Sequence, residues 1–336
     1  MKALLIGTGM VAPTHVAALK GAGLELACVM GRDPARTEAF TETHGGTSVT
    51  TLTAALATQP DIAIVTTPPD ARAEIATALA SARIPTLIEK PIERTLQAAR
   101  AIVETFEAAD VPLGLFFQHR TRAASKHLKS LLARGELGAV IHAEMRVPWW
   151  RDQSYYDAPG RGTYARDGGG VLITQAIHTL DLCLWLCGPT AQVQAMTRRT
   201  PLHRLEAEDL ATALLQFDSG ATGLLSATTA AFPGSAETIT LICEAAHVTL
   251  TGDHLVVDYL NGHRDEITPL QTGTGGGADP MAFSHGWHQN VIEDFVSNLA
   301  QNASPPISGR EGLAVHALID AMERAATSRA TEKVHP

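Results

Sequence analysis

Two short segments of the chain carry side chains that suit proton transfer. Residues 89–91 read Glu-Lys-Pro and follow an apolar run, so Lys90 stands where a lysine can hydrogen-bond a ligand hydroxyl and tune the release of its proton. Further along, Thr174, His178 and Asp181 are spaced by four and three residues, which places them on one face of a helix. Histidine is the natural proton acceptor near neutral pH. Taken singly, the segments also fit a surface lysine at a strand end and a histidine inside a helix core.

The residues around Lys90 predict a parallel sheet that positions it. Short apolar runs alternate there with helical patterns, as in βαβ units. The predicted strands span residues 2–6, 24–30, 61–66, 86–89 and 112–117, and the predicted helices span 11–20, 34–44, 51–57, 71–82 and 96–109. Open α/β sheets bind ligands at the carboxyl edge of their strands, so we expect Lys90 to stand at the ligand-binding edge.

A glycine-rich turn joins the first predicted strand to the first predicted helix. Residues 7–12 read Gly-Thr-Gly-Met-Val-Ala, which fits the G-x-G-x-x-G/A pattern of dinucleotide-binding turns. In this pattern the first glycine permits the tight turn, and the second lets backbone N–H groups approach a pyrophosphate. Ala12 allows the helix to pack closely on the strand, and the helix N-terminus favours the anion. The sequence therefore predicts a Rossmann domain for a nicotinamide dinucleotide. The predicted cofactor contacts of the turn are Gly7, Thr8, Gly9, Met10 and Val11.

The end of the second predicted strand favours NADP(H) over NAD(H). Sites that prefer NAD usually place an acidic residue there to bind the ribose hydroxyls. This chain has Gly31 followed by Arg32, and a guanidinium suits a 2′-phosphate. Arg36 lies one turn further on and is expected to assist. The alternative is that both arginines are solvated and Asp33 binds the ribose.

Beyond residue 120 the chain predicts a different architecture. Period-two runs indicate strands joined by turns or long loops, which form a mostly antiparallel sheet. The predicted strands span 139–147, 191–197, 211–217, 223–229 and 237–243, with helices at 123–134, 171–187, 287–300 and 309–328 and a flexible loop at 271–277. We therefore divide the chain into a dinucleotide-binding domain, 1–120, and a substrate-binding and oligomerisation domain, 121–336. The last helices are expected to pack back on the hinge.

Composition and charge exclude several classes of protein. The chain has 26 Lys and Arg against 35 Asp and Glu, a net charge of −9, which argues against a nucleic-acid binder. No stretch approaches the ~20 apolar residues of a membrane span. The first turn interrupts the N-terminal apolar run too early for a signal peptide. The four cysteines lack a second ligand pair at zinc spacing and predict reduced core thiols. We expect a cytoplasmic protein without a metal site.

Together, the motifs resemble the glucose–fructose oxidoreductase/inositol dehydrogenase (Gfo/Idh/MocA) family. The resemblance covers nearly the whole chain, and it rests on the order of residues 7–12, 66–69, 89–91 and 168–170, on His178 with Asp181, and on His288, Gln289, Asp294, Phe295, Pro306 and Gly309. It implies an N-terminal Rossmann doubly wound parallel sheet plus a C-terminal α/β domain with a large, mainly antiparallel open sheet. That sheet commonly carries the oligomer interface, so the resemblance implies a homodimer or homotetramer.

The resemblance also assigns site residues. It implies Lys90 and His178 as the catalytic residues, and it adds Thr66, Thr67, Pro68, Glu89, Lys90 and Gln118 to the cofactor contacts. Two positions depart from the family pattern. Thr174 stands where the family often has Asp, and because Thr is no base at neutral pH, Lys90 and His178 are expected to carry proton transfer. Arg72 replaces a histidine that often follows the two prolines.

Residues 147–163, which we call the aromatic segment, are dense in aromatic rings and arginines. Such side chains suit a cyclic ligand bearing carboxylates or many hydroxyls. For any single ring, packing against the sheet or a subunit contact is an equal alternative. The predicted substrate contacts are Lys90, His119, Arg120, Trp150, Arg151, Tyr156, Arg161, Thr174, Gln175 and His178.

Three functions therefore stay open. The first is a dehydrogenase of a small cyclic sugar, polyol or sugar acid. The second, suggested by similarity to the phthalate dihydrodiol dehydrogenase branch at residues 161–163 and 174–175, is a dehydrogenase of a carboxylated cis-dihydrodiol. The third is a sensor that binds a dinucleotide without turnover, against which Lys90 and His178 together argue.

Overall fold

The apolar runs of the first part form a parallel six-stranded sheet. Its strands are β1 (Lys2–Ile6), β2 (Glu25–Met30), β3 (Thr47–Val49), β4 (Ile62–Val65), β5 (Thr86–Ile88) and β6 (Leu113–Leu115). They lie in the order β3-β2-β1-β4-β5-β6, and every neighbouring pair is parallel. This is the doubly wound Rossmann order, which confirms the predicted fold class. The short β3 is absent from the sequence prediction.

Helices connect these strands, and side-chain caps mark where three of them begin. The helices are α1 (Ala12–Gly21), α2 (Pro34–His44), α3 (Leu52–Ala57), α4 (Arg72–Ser81) and α5 (Leu96–Ala108). The Asp33 carboxylate accepts from the amide of Arg36 at 3.1 Å and so caps α2. Thr51 and Thr95 cap α3 and α5 in the same way. Each cap satisfies an amide that a helix start otherwise leaves without a partner.

The second part forms the predicted open sheet with more strands than the sequence indicates. In chain order its elements are α6 (Ala123–Ala133), β7 (Val140–Pro148), α7 (Gln153–Tyr156), α8 (Ile177–Cys187), β8 (Thr190–Arg198), β9 (Leu210–Phe217), β10 (Thr222–Thr228), β11 (Thr238–Cys243), β12 (Ala246–Thr251), β13 (His254–Tyr259), β14 (Arg264–Ile267), α9 (Gly286–Ala300), α10 (Gly309–Ser328) and β15 (Glu332–Lys333). The order is β14-β13-β12-β11-β7-β10-β9-β8-β15, and among these pairs only β7 and β10 run parallel. The sequence prediction missed β12 to β15.

This computed structural model describes residues 1–268, 281 and 283–335. The predicted loop at 271–277 lies outside the described residues. Contacts divide the chain into a first unit, Met1–Gln118 with His285–Leu313, and a second unit, His119–Ser284 with Ala314–Pro336. Helix α9 packs on α1 within the first unit. The sequence division at residue 120 stays a prediction. Among the described residues, no helix combines the length and apolar character that crossing a bilayer requires.

In the second unit, the glycine-rich turn at residues 168–170 contacts the buried carboxylate of Glu208. A π-helical turn, Leu172–Ala176, precedes α8, and Glu208 accepts from the amides of Gly170 and Leu172 at 3.1 and 3.0 Å. A Cβ at Gly170 would lie 1.8 Å from the Glu208 carbonyl oxygen, so only glycine fits there. Glu208 thus caps the start of the helical segment that leads into α8.

A second carboxylate, Glu323 of α10, lies beside the same turn. Its Oε1 is 3.3 Å from where a Cβ of Gly169 would stand. Burial, followed by the charges of Glu208 and Asp320, raises the pKa of Glu323 to about 8. A carboxyl whose pKa is raised on folding keeps its proton in the folded state after the unfolded chain has lost it. The free energy of unfolding therefore falls as the pH rises from the ordinary Glu value toward 8.

We expect Glu323→Gln to stabilise the protein at pH 9 and to leave it unchanged near pH 5, because the amide keeps the shape and removes the charge. Thermal unfolding of both proteins across this range measures the effect. Glu38→Gln, at an exposed glutamate of α2, is the matched control and should show no such pH dependence. A stability difference that is the same at both pH values would show that Glu323 ionises like an exposed glutamate.

Candidate active site

The dinucleotide turn lies at the carboxyl edge of the first sheet, where β1 and β4 end side by side. Gly7 has φ of 110°, and a Cβ there would lie 2.7 Å from Thr66 Oγ1. The Thr66 hydroxyl lies 3.1 Å from the carbonyl oxygens of both Ile6 and Gly7, and its single proton serves one of them at a time. The close approach of the two strand ends therefore requires glycine at position 7.

The same turn fits an anionic group at the start of α1. A Cβ placed on Gly9 would meet no atom within 4 Å among the described residues, so the backbone there faces open space. Among the described side chains none caps α1, and its first turn carries no acidic residue. Amide N–H groups and the positive end of the helix dipole remain to receive a pyrophosphate. The residues of the turn thus fit a dinucleotide, with Met10 exposed beside it.

The end of β2 shows how the two predicted arginines are placed. A Cβ on Gly31 would lie 2.2 Å from Thr37 Oγ1, so Thr37 occupies the space that a side chain at position 31 would need. Arg36 donates from Nη2 to the Thr8 carbonyl at 2.8 Å, which ties α2 to the dinucleotide turn. Arg32 is exposed. The Asp33 carboxylate, the alternative ribose ligand, is engaged as the cap of α2.

Glu89, which precedes Lys90, is buried among two histidines of the same unit. Its Oε1 is 2.8 Å from Nε2 of His15 and 3.7 Å from Nε2 of His288, and its Oε2 accepts from the Lys90 amide at 3.1 Å. Burial alone raises the pKa of Glu89, but the hydrogen bonds and charges of the two histidines bring it well below the usual value. Burial also lowers the pKa of His288. The sequence analysis did not identify His15 as a partner of Glu89, and it used His288 only as one of the residues that carry the family resemblance.

Arg72, the departure from the family pattern, contacts the backbone before and after Lys90. It is buried, and it donates from Nε and Nη2 to the Thr67 carbonyl at 2.9 and 2.6 Å. Its Nη1 donates to the carbonyls of Glu89 and Pro91. Burial lowers the pKa of Arg72 to about 10, against the opposing effect of Glu89 and other acidic groups. One guanidinium therefore joins the residues after β4 to those after β5.

Of the remaining predicted cofactor contacts, Pro68 lies in the connection from β4 to α4, and Gln118 is a buried residue that follows β6. The structure thus brings the predicted cofactor residues to the ends of β1, β2, β4, β5 and β6, at one edge of the first sheet. Their roles stay predictions.

In the second unit, His178 is buried on α8 and stacks on His119, with ring centroids 4.7 Å apart and planes 22° apart. Nδ1 of His119 lies 3.7 Å from Oε1 of Glu237. Arg120 pairs with Asp181 through two hydrogen bonds of 2.8 and 2.6 Å. Asp181 of the H-x-x-D motif therefore holds Arg120, and the predicted contact of Arg120 with a substrate stays a prediction.

Thr174 lies in the π-helical turn rather than in the regular α-helix that its spacing predicts. Its hydroxyl lies 2.5 Å from the carbonyl oxygen of Gly170 and also contacts Oε1 of Gln175. Gln175 donates from Nε2 to the Tyr155 hydroxyl at 3.3 Å. The helical segment that carries His178 is thus joined to the aromatic segment before it.

Tyr155 is the centre of that aromatic segment. The guanidinium carbons of Arg151 and Arg161 lie 5.6 and 4.9 Å from its ring centroid, within the range of cation–π attraction. The carbonyl oxygen of Arg151 lies 2.8 Å from Nε2 of His203, whose Nδ1 is 2.7 Å from Oδ2 of the buried Asp209. The sequence prediction named Tyr156 as a substrate contact and did not name Tyr155, because residue type alone does not distinguish two neighbouring tyrosines.

Tyr156 and Trp150 have other surroundings. The Tyr156 hydroxyl is 2.6 Å from Thr229 Oγ1, and burial raises the pKa of the phenol. Trp150 is half-buried and packs edge-on against Phe232 at 5.4 Å between ring centroids. Both side chains pack against other residues of the second unit. Such packing is the alternative to substrate contact, and the substrate roles of Tyr156 and Trp150 stay predictions.

Comparison with known proteins identifies the family. The model of the oxidoreductase family with an NAD-binding Rossmann fold matches residues 1–117, and the model of the GFO/IDH/MocA C-terminal domain matches residues 125–249. D-apiose dehydrogenase of Rhizobium rhizogenes is 28% identical, covering 99% of this chain and 97% of that protein. Inositol 2-dehydrogenase of Rhizobium meliloti is 24% identical, covering 97% and 96%.

A solved structure agrees. The WlbA dehydrogenase of Bordetella pertussis, in complex with NADH and UDP-GlcNAcA, is 27% identical and superimposes with a TM-score of 0.85, covering 100% of this chain and 99% of that one. Levoglucosan dehydrogenase superimposes with a TM-score of 0.89 at 19% identity, which shows the fold alone. The predicted resemblance is confirmed, and the chain belongs to the Gfo/Idh/MocA family of oxidoreductases with an NAD-binding Rossmann fold.

Proposed function

We propose that the protein is a nicotinamide-dependent dehydrogenase that transfers a hydride between the cofactor and a CH–OH or carbonyl group of a small cyclic sugar, polyol or sugar acid. The observation that supports this most strongly is the placement of Lys90 at the strand edge that also carries the dinucleotide turn. When bound there, the dinucleotide supplies the group that accepts or donates the hydride. The chain's own side chains then have to bind the reacting oxygen and handle its proton.

Lys90 and His178 are proposed to divide that work. The Lys90 ammonium donates a hydrogen bond to the reacting oxygen and stabilises it as the proton leaves. His178 accepts the proton in oxidation and returns it in reduction. Thr174 takes no part as a base, because a threonine hydroxyl stays protonated at neutral pH. Its contact with the Gly170 carbonyl is that of a donor.

The substrate class is supported by the aromatic segment and by the relatives. Relatives of this chain are named for apiose and inositol, a sugar and a cyclic polyol. Arg151 and Arg161 beside Tyr155 add cationic groups that suit a carboxylate. This favours a sugar acid among the cyclic substrates. The same arginines favour a carboxylated cis-dihydrodiol as the second candidate.

We expect Lys90→Ala and His178→Ala each to lower kcat by ~10²–10⁴-fold, the usual loss for a positioned acid–base group, while dinucleotide binding is retained. The assay follows nicotinamide absorbance with D-apiose, myo-inositol, levoglucosan, a uronic acid and a carboxylated cis-dihydrodiol as substrates. Lys20→Ala, at an exposed lysine of α1, and His44→Ala, at the end of α2, are the matched controls. Near-wild-type kcat in both test variants would falsify the assignment, and tight dinucleotide binding without turnover of any substrate would favour a sensor.

We further propose that the cofactor is NADP(H). Gly31 and Arg32 stand where an acidic ribose ligand is usual, and Asp33 is engaged in capping α2. Arg32→Ala should raise the KM for NADP⁺ by about 10- to 100-fold, since hydrogen bonds between charged groups contribute about 1.5–3 kcal/mol. The KM for NAD⁺ in the same variant should not change and serves as the internal control. Stronger turnover with NAD⁺ than with NADP⁺ in the unmodified protein would contradict this proposal.

The protein is also proposed to assemble as a homodimer or homotetramer through the second sheet. Met196, Leu214 and Ile242 are exposed, and the strand register places all three on the same face of that sheet. Large apolar side chains exposed on one face of a sheet suit a subunit contact. Leu214→Glu should convert the oligomer to the 35.6 kDa monomer in sedimentation velocity. A wild-type protein that sediments as a monomer would exclude this interface.

A further inference from the structure

We propose that Arg72 is the positioning residue of the active site, and that it sets the place of the Lys90 side chain by fixing the peptide groups on either side of it. This inference rests on the proposed role of Lys90. The residues after β5 have no regular secondary structure to hold them, yet a catalytic ammonium must stand within hydrogen-bond distance of the reacting oxygen. The holding groups must therefore come from elsewhere in the unit.

The first part of the argument is the geometry of the guanidinium. Arg72 is 2% exposed and begins α4, and its Nη1 donates to the carbonyls of Glu89 and Pro91, the residues before and after Lys90. Its other two nitrogens donate to the Thr67 carbonyl. Arginine offers five N–H donors on three nitrogens of a planar fork, whereas the three donors of a lysine lie on one nitrogen, so the guanidinium is suited to reach carbonyls of separate segments.

The second part is that the Lys90 amide is also held, by the buried carboxylate of Glu89. Glu89 Oε2 accepts from that amide, and Glu89 Oε1 is bonded to His15 of α1. The backbone of Lys90 is thus fixed by Glu89 at its amide and by Arg72 at the carbonyls on both sides.

A metal ion is the alternative explanation for His15, Glu89 and His288, whose candidate ligand atoms lie within 4.8 Å of one another. A metal-bound histidine almost always donates its other ring N–H to an acceptor. Nδ1 of His15 is buried and has no hydrogen-bond partner among the described residues. His15 therefore lacks, among the described residues, the outer acceptor that a metal-bound histidine usually has, and its Nε2 already lies 2.8 Å from Glu89 Oε1. The cluster is therefore a hydrogen-bonded support for Glu89, and stoichiometric metal in the purified protein would overturn this part.

The test compares Arg72→Lys with the wild type by two readouts. The first is the rate at which formaldehyde and cyanoborohydride methylate Lys90, followed by peptide mass spectrometry, which reports the environment of its amine without any turnover. The second is kcat and KM with the best substrate of the screen above. A lysine keeps the charge but reaches fewer carbonyls, so we expect the Lys90 methylation rate to change and kcat to fall by about 10- to 100-fold, as displacements near 1 Å do. The KM for the dinucleotide should stay unchanged.

Arg83→Lys, at an exposed arginine that donates to the Ala109 carbonyl, is the matched control and should change neither readout. A folded Arg72→Lys protein with unchanged methylation and unchanged kcat overturns the proposal. If that variant does not fold, Arg72→Gln takes its place, because a glutamine amide also donates from a planar group but reaches fewer carbonyls. Unchanged Lys90 methylation and unchanged kcat in a folded Arg72→Gln protein would then overturn the proposal. If Lys90→Ala keeps its activity, the proposed function fails, while the methylation readout still tests the clamp.

Discussion

The hydrogen bond between His15 and Glu89 joins the two halves of the cofactor edge. His15 lies on α1, whose N-terminus is the dinucleotide turn, and Glu89 is the residue that binds the Lys90 amide. The histidine lies one turn into the helix and is fully buried. Any shift of α1 along the sheet therefore changes the support of Lys90. The bond makes the turn and the lysine parts of one structure rather than two neighbouring loops.

The charge balance around this bond explains why it holds. A buried carboxylate is costly unless its oxygens are paired, and Glu89 has His15, His288 and the Lys90 amide as partners. Arg72 is a buried cation that donates to backbone carbonyls, and the nearby charge of Glu89 favours its charged form. The two charges stabilise each other without direct contact between their side chains. Removing either one would leave the other buried with less compensation.

The same device recurs in the second unit, where Glu208 accepts from the amides of Gly170 and Leu172. Here too a buried carboxylate holds the backbone near a helical segment that carries a proposed catalytic residue. Gly170 is required there because the Glu208 backbone leaves no room for a Cβ atom. The glycine is needed for its small size and not for its conformational freedom.

Much of the fold follows from the sequence, because buried parallel strands and the glycine turn leave strong local patterns. The strands β1, β2, β4, β5 and β6 and the cofactor turn were predicted from them. The strands β12 and β13 alternate buried apolar residues with outward residues such as Thr249 and Asp258, and the sequence prediction overlooked that pattern. The sequence showed Arg72 only as a departure from the family pattern. Its partners are backbone carbonyls, which every residue has, so no residue type in the sequence indicates them. Glu208 was missed because it lies 38 residues from the glycine that it supports.

Thr174, which stands where the family often has Asp, fits the π-helical backbone around it. The spacing of Thr174 and His178 is four residues, which reads as one face of an α-helix, but a π-helical turn ends between them. Thr174 Oγ1 lies 2.5 Å from the Gly170 carbonyl, a contact that needs a donor. An ionised carboxylate at this position would face that carbonyl oxygen with no proton to give, and the two oxygens would repel. In the rotamer that Thr174 adopts, this position therefore suits a hydroxyl that donates, and not an ionised carboxylate.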